Sequence, residues 1–599
     1  MATRRGTSGT AGTVGSPADT ESASGLDESP TGRRRRKRKP WSEKSRGERG
    51  IVIVWFSLML VMLLGFAGFA VDLSNWWLQA DRLQKAADSG AHAGVVYLPA
   101  DLGGATTTAR AEVAKNGFKT TGSTKNADVA ITQEPNPNRL RVSLTTTVPT
   151  YFVRLLGVDH VTLTRDAVAE YIAPIAMGSP SNKLGNDPAR GDTAAQFWIN
   201  VAGPRSTKGS GDRFQAKVCG TSVMGCTNTM IPGVNNDEYA PDGYLFAVRV
   251  AEKVAGQDLL IQVYDPAFIY VGDKCESSTF PNSTQLNELK TWYPDAPARF
   301  AGGLNSWCSG DQEINGLKNT QTTFVVRAPD NTPWSDTDNP VVAGCTTTMP
   351  AWVPTSSGND SIYGRLKSGA GTGDGVAPWT FSEVFRQNVT ICRIPAAQVK
   401  VGDYILQIRS NASAAAPYTY DPNNVTGGHN RFSIQAGFGV SGASSTVNNK
   451  VSLNARGRFP IYANANSANT IFYLARIMPY DAGRTLRVSL YDISDVGDSG
   501  SMRIVPPTEF GNNFSGCTFS NDKNKSMSYN SGTCKLTVPN GYYNERNVNV
   551  DVPIPTNYTC NKDDSQGCWI TVEAKFNGSV QDTTTWSASI LGNPIRLVE

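Results

Sequence analysis

Histidine is scarce in this 599-residue chain, which contains only His92, His160 and His429. Histidine is the side chain that most readily exchanges protons near neutral pH, so its scarcity leaves few candidates for general acid–base catalysis. The hydrolase motifs G-x-S-x-G and H-E-x-x-H and the phosphate-binding P-loop do not occur either. His429 follows two glycines, and we interpret it as a turn residue that opens a strand. The sequence therefore predicts a protein that is not an enzyme, with no catalytic residues.

No cysteine precedes Cys219, and ten are found from there on. They are Cys219, Cys226, Cys275, Cys308, Cys345, Cys392, Cys517, Cys534, Cys560 and Cys568. An even set confined to one part of a chain is typical of disulfides formed in an oxidising compartment. Because no C-x-x-C pair occurs, a zinc site is not expected. Our hypothesis is that neighbours in sequence pair, with Cys219–Cys226 and Cys560–Cys568 as the most local pairs.

Excess positive charge is lacking outside the N-terminus. Residues 1–50 hold twelve Lys or Arg against six Asp or Glu, and because the whole chain carries a net charge of +4, the remainder carries −2. A chain without a broad positive field is not expected to bind nucleic acid. The first fifty residues are also rich in Gly, Ser, Thr and Pro, which predicts a disordered basic tail.

One long apolar run stands out between this tail and Asp72. Residues 51–71 contain no charge, and at about 1.5 Å per helical residue they reach the roughly 30 Å of a bilayer's hydrocarbon core. Basic residues are retained on the cytoplasmic side, so the tail is predicted to be cytoplasmic and the C-terminal bulk extracellular. Trp76 and Trp77 would lie at the outer interface. The sequence predicts a single-pass protein of the cell membrane.

Two other interpretations of this segment remain open. Gly68 and Ala70 would suit cleavage of a signal peptide, although 51–71 is longer than the usual apolar core of roughly 7–15 residues. The Arg/Lys block could instead be a nucleic-acid or nuclear-import patch. Since the block lies directly beside an apolar run, we favour a topogenic signal and an uncleaved span.

Residues 72–172 are predicted to form a helical stalk and a small α+β module. Apolar and small residues recur every three or four positions after Asp72, which predicts that the helix continues. The small residues on one of its faces would let another helix or a sheet pack closely against it. We predict this face to be the partner-binding surface, comprising Leu83, Ala87, Ala91 and Gly94. The other predicted elements are helices over 106–116 and 151–156 and strands over 127–132, 139–147 and 160–171. The apolar stripe of this continued helix would also pack on such a sheet.

A group of residues around the apolar run forms a recognisable pattern. It consists of Glu48, Arg49 and Gly50 before the run, Gly65 and Gly68 within it, Asp72 after it, and the segment Leu-Gln-Lys-Ala-Ala-Asp at 83–88. With this pattern the region of about 47–172 resembles the TadE/TadG type of Flp, or tight-adherence, pilus-assembly proteins of bacteria. The resemblance implies a cell-envelope protein with a pilin-like module that meets pilus or pilus-assembly subunits.

Two features depart from that family's relatives. Processed pilins usually carry a glutamate five residues beyond the processed glycine, and Trp55 occupies that position here. Some relatives also contain a von Willebrand A domain with a D-x-S-x-S metal motif, which is broken at Trp76. We therefore expect neither prepilin processing nor that domain.

The rest of the chain alternates short β-branched or aromatic runs with turns, which predicts a mostly-β region. After a predicted linker at 173–192, a repeat is visible: 244–265 returns at 471–492, and both copies end in Tyr-Asp. We interpret each Asp as a structural residue that binds backbone amides. The predicted fold class is multidomain: an N-terminal transmembrane helix plus a small α+β pilin-like module, then tandem sandwich or jelly-roll domains at 193–440, enlarged by insertions, and 441–599.

An acidic loop is the strongest candidate in the sequence for a metal-binding site. Asp492, Asp495 and Asp498 crowd a glycine-containing segment, and extracellular Ca²⁺ often takes its oxygen ligands from such loops. The sequence thus contains a candidate structural calcium site, with an ordinary solvated turn as the alternative. No other cofactor is expected.

Together these features predict a membrane-anchored cell-envelope protein associated with Flp/Tad-type pilus assembly, in a structural or scaffold role. The alternative is a surface adhesin whose β-sandwich ectodomain binds a cell-surface glycan or protein through exposed loops. A secreted hydrolase is less favoured, because it would depend on a carboxylate pair whose spacing no sequence motif fixes.

Overall fold

The computed structural model describes residues 46–598 with some gaps. Not described within that range are 100, 220–235, 277, 304–306, 314–315, 317–319, 333–334, 373–374, 377–378, 411–426, 440–449, 466–468, 523–524, 563–565 and 579. The disorder predicted for the basic tail falls almost wholly outside the described residues, and so does Cys226. The chain divides into two compact units, of which the first ends at Val71 and the second begins at Asp72.

A single helix, α1 (Arg46–Val95), contains the predicted span and continues beyond it. Its sequence has no proline, and aliphatic and straight-chain residues that favour helix dominate it. Every residue from Ile51 to Ala67 is exposed. Among the described residues, α1 is the one helix that is long and apolar enough to cross a membrane, as a single-pass anchor requires.

The small α+β module is present as predicted. Its helix α2 (Leu102–Lys115) begins after Asp101, whose side chain accepts a hydrogen bond from the Gly104 amide. Its antiparallel strands are β1 (Asp128–Gln133), β2 (Arg139–Pro149) and β3 (His160–Tyr171). The last strand of the chain (Ile595–Leu597) pairs with β3 and completes a four-stranded sheet. The N-terminal module thus depends on a C-terminal segment.

The inward faces of α1, α2 and β2 form one hydrophobic cluster. Its members include Leu83, Ala87, Ala91, Val95, Ala105, Ala109, Val113, Leu140, Val142 and Leu144. These residues recur every three or four positions on the helices and every second position on β2, which are the periods of a helix face and a strand face. The stripe on α1 is therefore buried by the module's own helix and sheet.

Most of the remaining strands form two large antiparallel sheets. In chain order the strands are β4 (Ala176–Met177), β5 (Lys183–Leu184), β6 (Phe197–Ala202), β7 (Tyr244–Val250), β8 (Asp258–Tyr264), β9 (Phe268–Ile269), β10 (Thr322–Arg327), β11 (Val341–Met349), β12 (Ala351–Trp352), β13 (Gly375–Val376), β14 (Trp379–Thr380), β15 (Asn388–Ile394), β16 (Gly402–Ser410), β17 (His429–Gly439), β18 (Val451–Arg456), β19 (Arg458–Ala465), β20 (Asn469–Arg476), β21 (Thr485–Tyr491), β22 (Gly500–Val505), β23 (Thr518–Asn521), β24 (Tyr529–Asn530), β25 (Lys535–Val538), β26 (Asn547–Pro553), β27 (Trp569–Phe576), β28 (Val580–Ile590) and the C-terminal strand, β29. The helices of this region are α3 (Ser283–Leu289), α4 (Ala296–Arg299), α5 (Ile362–Thr372) and α6 (Phe381–Val384).

The two sheets share one hydrophobic core, which confirms a mostly-β, sandwich-like fold. One sheet has the order β11-β10-β16-β7-β18-β4-β20-β27-β22-β25-β24, and the other has β15-β8-β17-β6-β19-β28-β21-β26-β23. In the first sheet β7 and β20 carry the two copies of the repeat, and in the second sheet β8 and β21 do. The two halves of the β region come together at one place in each sheet. In the first sheet this is the pairing of β18 with β4, and in the second sheet it is the pairing of β6 with β19. Both halves therefore contribute to both sheets, a non-local pairing that leaves no signal in the sequence.

Residues 173–192, which we expected to be a linker, belong to these sheets instead. β4 pairs with β18 and β20, and β5 pairs with β17. Met177 and Leu184 are buried. The surrounding Gly, Pro and Asn residues form the turns between these two-residue strands, so the composition resembles that of a linker although the segment is packed.

Four disulfides are present among the described residues, and all lie in the β region. They join Cys275 with Cys308, Cys345 with Cys392, Cys517 with Cys534 and Cys560 with Cys568. Each joins cysteines that are neighbours in sequence order, as our pairing hypothesis requires. This set of cross-links is typical of a protein folded in an oxidising compartment.

Candidate membrane-proximal site

Asp72 directly follows the apolar run and is fully buried in the small module. Its carboxylate accepts hydrogen bonds from the backbone amides of Tyr151 at 2.8 Å, Phe152 at 2.8 Å and Val153 at 2.7 Å. These amides begin the short 3-10 turn Val153–Leu156, whose first N–H groups have no partner within the turn. Asp72 therefore fastens the loop between β2 and β3 to α1 by three charge-assisted hydrogen bonds.

The predicted partner-binding face of α1 is brought together by the fold, but it is not free. Leu83, Ala87 and Ala91 have no exposed surface. A Cβ atom added at Gly94 would lie 2.6 Å from Cδ2 of Leu140 and 2.7 Å from the carbonyl oxygen of Ala105. The prediction of a docking surface at these four residues is therefore wrong. The small residues do permit close packing, but the module's own α2 and β2 fill the space.

Glu170 on β3 joins the small module to the rest of the chain. It is fully buried and accepts hydrogen bonds from Arg139 at 2.9 Å and from Arg596 at 2.8 Å, and it also pairs with Arg484. Burial alone would raise the pKa of Glu170, but the hydrogen bonds from Arg139 and Arg596 hold it below its ordinary value. Sequence reasoning missed this residue. Its one signal is a carboxylate within the otherwise apolar end of a strand.

The two Tyr-Asp pairs of the repeat have the same structural role. Asp265 and Asp492 both have left-handed backbones, with φ of 55° and 62°. The carboxylate of Asp265 accepts the Arg386 amide at 3.0 Å, and that of Asp492 accepts the Glu545 amide at 2.7 Å. The interpretation that each Asp binds backbone amides is confirmed, and the repeat is therefore one of structure as well as sequence.

The structure places the three carboxylates of the predicted calcium site in different surroundings, and calcium binding there stays a prediction. Asp492 points into the protein, whereas Asp495 and Asp498 are exposed, and Asp498 accepts the amide of Ser499 at 2.7 Å. Within the described ranges no three His, Cys, Asp or Glu side chains are placed to hold a metal ion. Burial, together with the neighbouring carboxylates of Asp495 and Glu545, raises the pKa of Asp492 well above its ordinary value.

His429 is also structural. It is the first residue of β17, and the sequence interpretation of a strand-opening residue is confirmed. The side chain is buried, and burial together with the Arg431 charge lowers its pKa well below the ordinary value. A neutral, enclosed imidazole cannot readily exchange protons with a substrate.

Comparison with known proteins gives a match to a protein family. Residues 51–101 match the model of a family described as "Putative Flp pilus-assembly TadE/G-like". The match confirms the resemblance of the N-terminal region and includes the apolar run, Asp72 and the buried face of α1. No curated protein and no solved structure matches the chain significantly. The N-terminal region is TadE/G-like, and the membrane-proximal site lies where that region leaves the apolar run.

Proposed function

We propose that this protein is a membrane-anchored cell-envelope protein that serves Flp/Tad-type pilus assembly as a structural or scaffold component. The observation that carries the proposal is the TadE/G-like match at 51–101, which coincides with α1, the one helix among the described residues that is apolar enough to span a membrane. The basic tail would lie in the cytoplasm and the bulk of the chain outside it.

The packing of the small module supports an anchor that is integral to the protein. Five buried residues of α1 beyond Ala80 belong to the module's hydrophobic cluster. The helix that contains the span therefore also supplies five of the eighteen buried residues of that cluster. The run 51–71 is longer than the apolar core of a signal peptide and continues without a break into this part of the helix, so we expect the mature protein to retain the span.

The environments of the unusual titratable groups support a non-enzymatic role. Asp265 and Asp492 bind backbone amides, Glu170 is neutralised by arginines, and His429 is enclosed. Each has a structural partner or is shielded from substrate. In this proposal the β region is a rigid extracellular scaffold, cross-linked by disulfides, that contacts pilus or assembly subunits through surfaces other than the buried face of α1.

Deletion of the gene in its host bacterium tests this function. We expect deletion to reduce the number of surface pili counted by electron microscopy, and the full chain to restore it. A variant with Leu60→Arg and Leu63→Arg should not restore piliation, because charges in the centre of a span oppose membrane insertion. The matched control, Thr346→Arg at an exposed position of β11, should restore it. Normal piliation in the deletion strain would contradict the proposal.

A further inference from the structure

The loop that Asp72 holds exposes an unusual amount of apolar surface. Leu155 and Leu156 are 84% and 83% exposed. The other large apolar side chains exposed in the loop are Tyr151, Phe152 and Val158. Exposed single leucines are common on soluble proteins, but five large apolar side chains within eight residues form a patch that an aqueous surface disfavours.

The position of this loop indicates what covers the patch. The backbone amides of 151–153 lie within 2.8 Å of the Asp72 carboxylate. Asp72 follows the last residue of the apolar run, so at about 1.5 Å per residue the helix leaves the hydrocarbon core at this point. The interfacial layer on each side of that core is roughly 5–7 Å thick. The loop therefore begins within that layer.

The chemistry of the loop also suits a lipid interface. Residues 151–158 read Tyr-Phe-Val-Arg-Leu-Leu-Gly-Val and contain no acidic side chain. Aromatic rings are enriched at the level of lipid headgroups, leucines enter the outer acyl region, and an arginine can bind a lipid phosphate. Arg154 is exposed between the aromatic pair and the leucine pair.

We propose that loop 151–158 inserts into the interface of the same bilayer that holds residues 51–71 and so forms a second lipid contact. The inference rests on the proposed membrane anchor and goes beyond it. A lone spanning helix leaves the tilt and rotation of its head undefined. A second contact, fastened to α1 by Asp72, would fix the height and orientation of the small module above the membrane.

Site-directed fluorescence quenching in the full chain tests the proposal. Leu155→Cys, labelled with an environment-sensitive fluorophore, is reconstituted in vesicles of phosphatidylethanolamine and phosphatidylglycerol. We expect lipids with a spin label near the headgroup to quench this probe several-fold more strongly than a matched probe at Val401→Cys, an exposed valine of the β region. Aqueous iodide should quench the Val401 probe several-fold more strongly than the Leu155 probe.

Two outcomes would overturn the proposal. Equal behaviour of the Leu155 and Val401 probes would mean that the loop faces water. Protection of the Leu155 probe from both quenchers would mean that protein, such as a second copy of this chain, covers it. A third probe, at Leu63→Cys in the apolar run, separates this failure from failure of the anchor. Deep acyl-chain spin labels should quench it, and its quenching by iodide alone would refute the anchor itself.

Discussion

Replacing Leu83 by alanine distinguishes a core face on α1 from a docking face. Leu83 is fully buried in the same hydrophobic cluster as Val113, Val142 and Leu144. Truncating a fully buried leucine costs about 3 kcal/mol, within a range of roughly 2–5 kcal/mol. Because the cluster joins α1, α2 and β2, this cost should appear as easier opening of the whole small module.

Hydrogen exchange of the isolated protein in detergent measures that opening. A loss of about 3 kcal/mol corresponds to roughly a hundredfold faster exchange of the most protected amides of β2, such as those of Leu140 and Val142. The matched control is Leu78→Ala on the same helix, where the side chain is 45% exposed. We expect the control to change stability by no more than about 0.5 kcal/mol, or about twofold in exchange rate.

The opposite pattern would refute the assignment of this face to the core. If Leu83→Ala exchanged like the unmodified protein and yet lost association with pilus components, the face would be a docking surface after all. No partner is present in the exchange experiment, so an effect seen there can come only from packing within the chain.

Three further predictions follow from single groups. Asp72→Ala should accelerate hydrogen exchange of the three loop amides that donate hydrogen bonds to its carboxylate, and it should leave the amides of β2 protected. Unchanged exchange of the loop amides would mean that these hydrogen bonds do not hold the loop. Burial raises the pKa of Asp481 to about 6, so its charged form opposes folding. Asp481→Asn should therefore add about 3 kcal/mol to stability in denaturant titrations above pH 6 and nothing below about pH 4, and a gain that is equal at both pH values would contradict this. Removing the Cys345–Cys392 disulfide, whose ends are 47 positions apart, should cost about 4 kcal/mol, against about 2.5 kcal/mol for the Cys560–Cys568 disulfide, whose ends are 8 positions apart. Thermal unfolding in the reverse order would oppose this ranking.

The elements that sequence analysis identified correctly are those with a strong local signal. The apolar run, the helix and strand periods of the small module and the turn-rich β region each depend on neighbours in sequence. The repeat was also recognisable, because both copies keep a buried Tyr and an Asp that binds amides, at Asp265 and Asp492. Sequence-neighbour pairing of the cysteines gave all four disulfides of the described residues.

The features that sequence analysis missed depend on partners far away in the chain. Glu170 meets Arg484 and Arg596, which are 314 and 426 positions away. Likewise, small residues at Ala87 and Ala91 showed that something packs closely on α1, but not that the module's own sheet does so. The different surroundings of the acidic residues were not visible for a related reason, since closeness in sequence did not show that Asp492 faces inwards while Asp498 faces solvent.

Side-specific labelling of single added cysteines is the most direct test of a membrane anchor with its head outside the cytoplasm. Val401→Cys reports on the β region, and Ser42→Cys reports on the basic tail. In spheroplasts treated with a membrane-impermeant maleimide, we predict labelling of Val401→Cys before lysis and of Ser42→Cys only after lysis. Labelling of Val401→Cys only after lysis would place the β region in the cytoplasm and contradict both the anchor's orientation and the proposed role in pilus assembly.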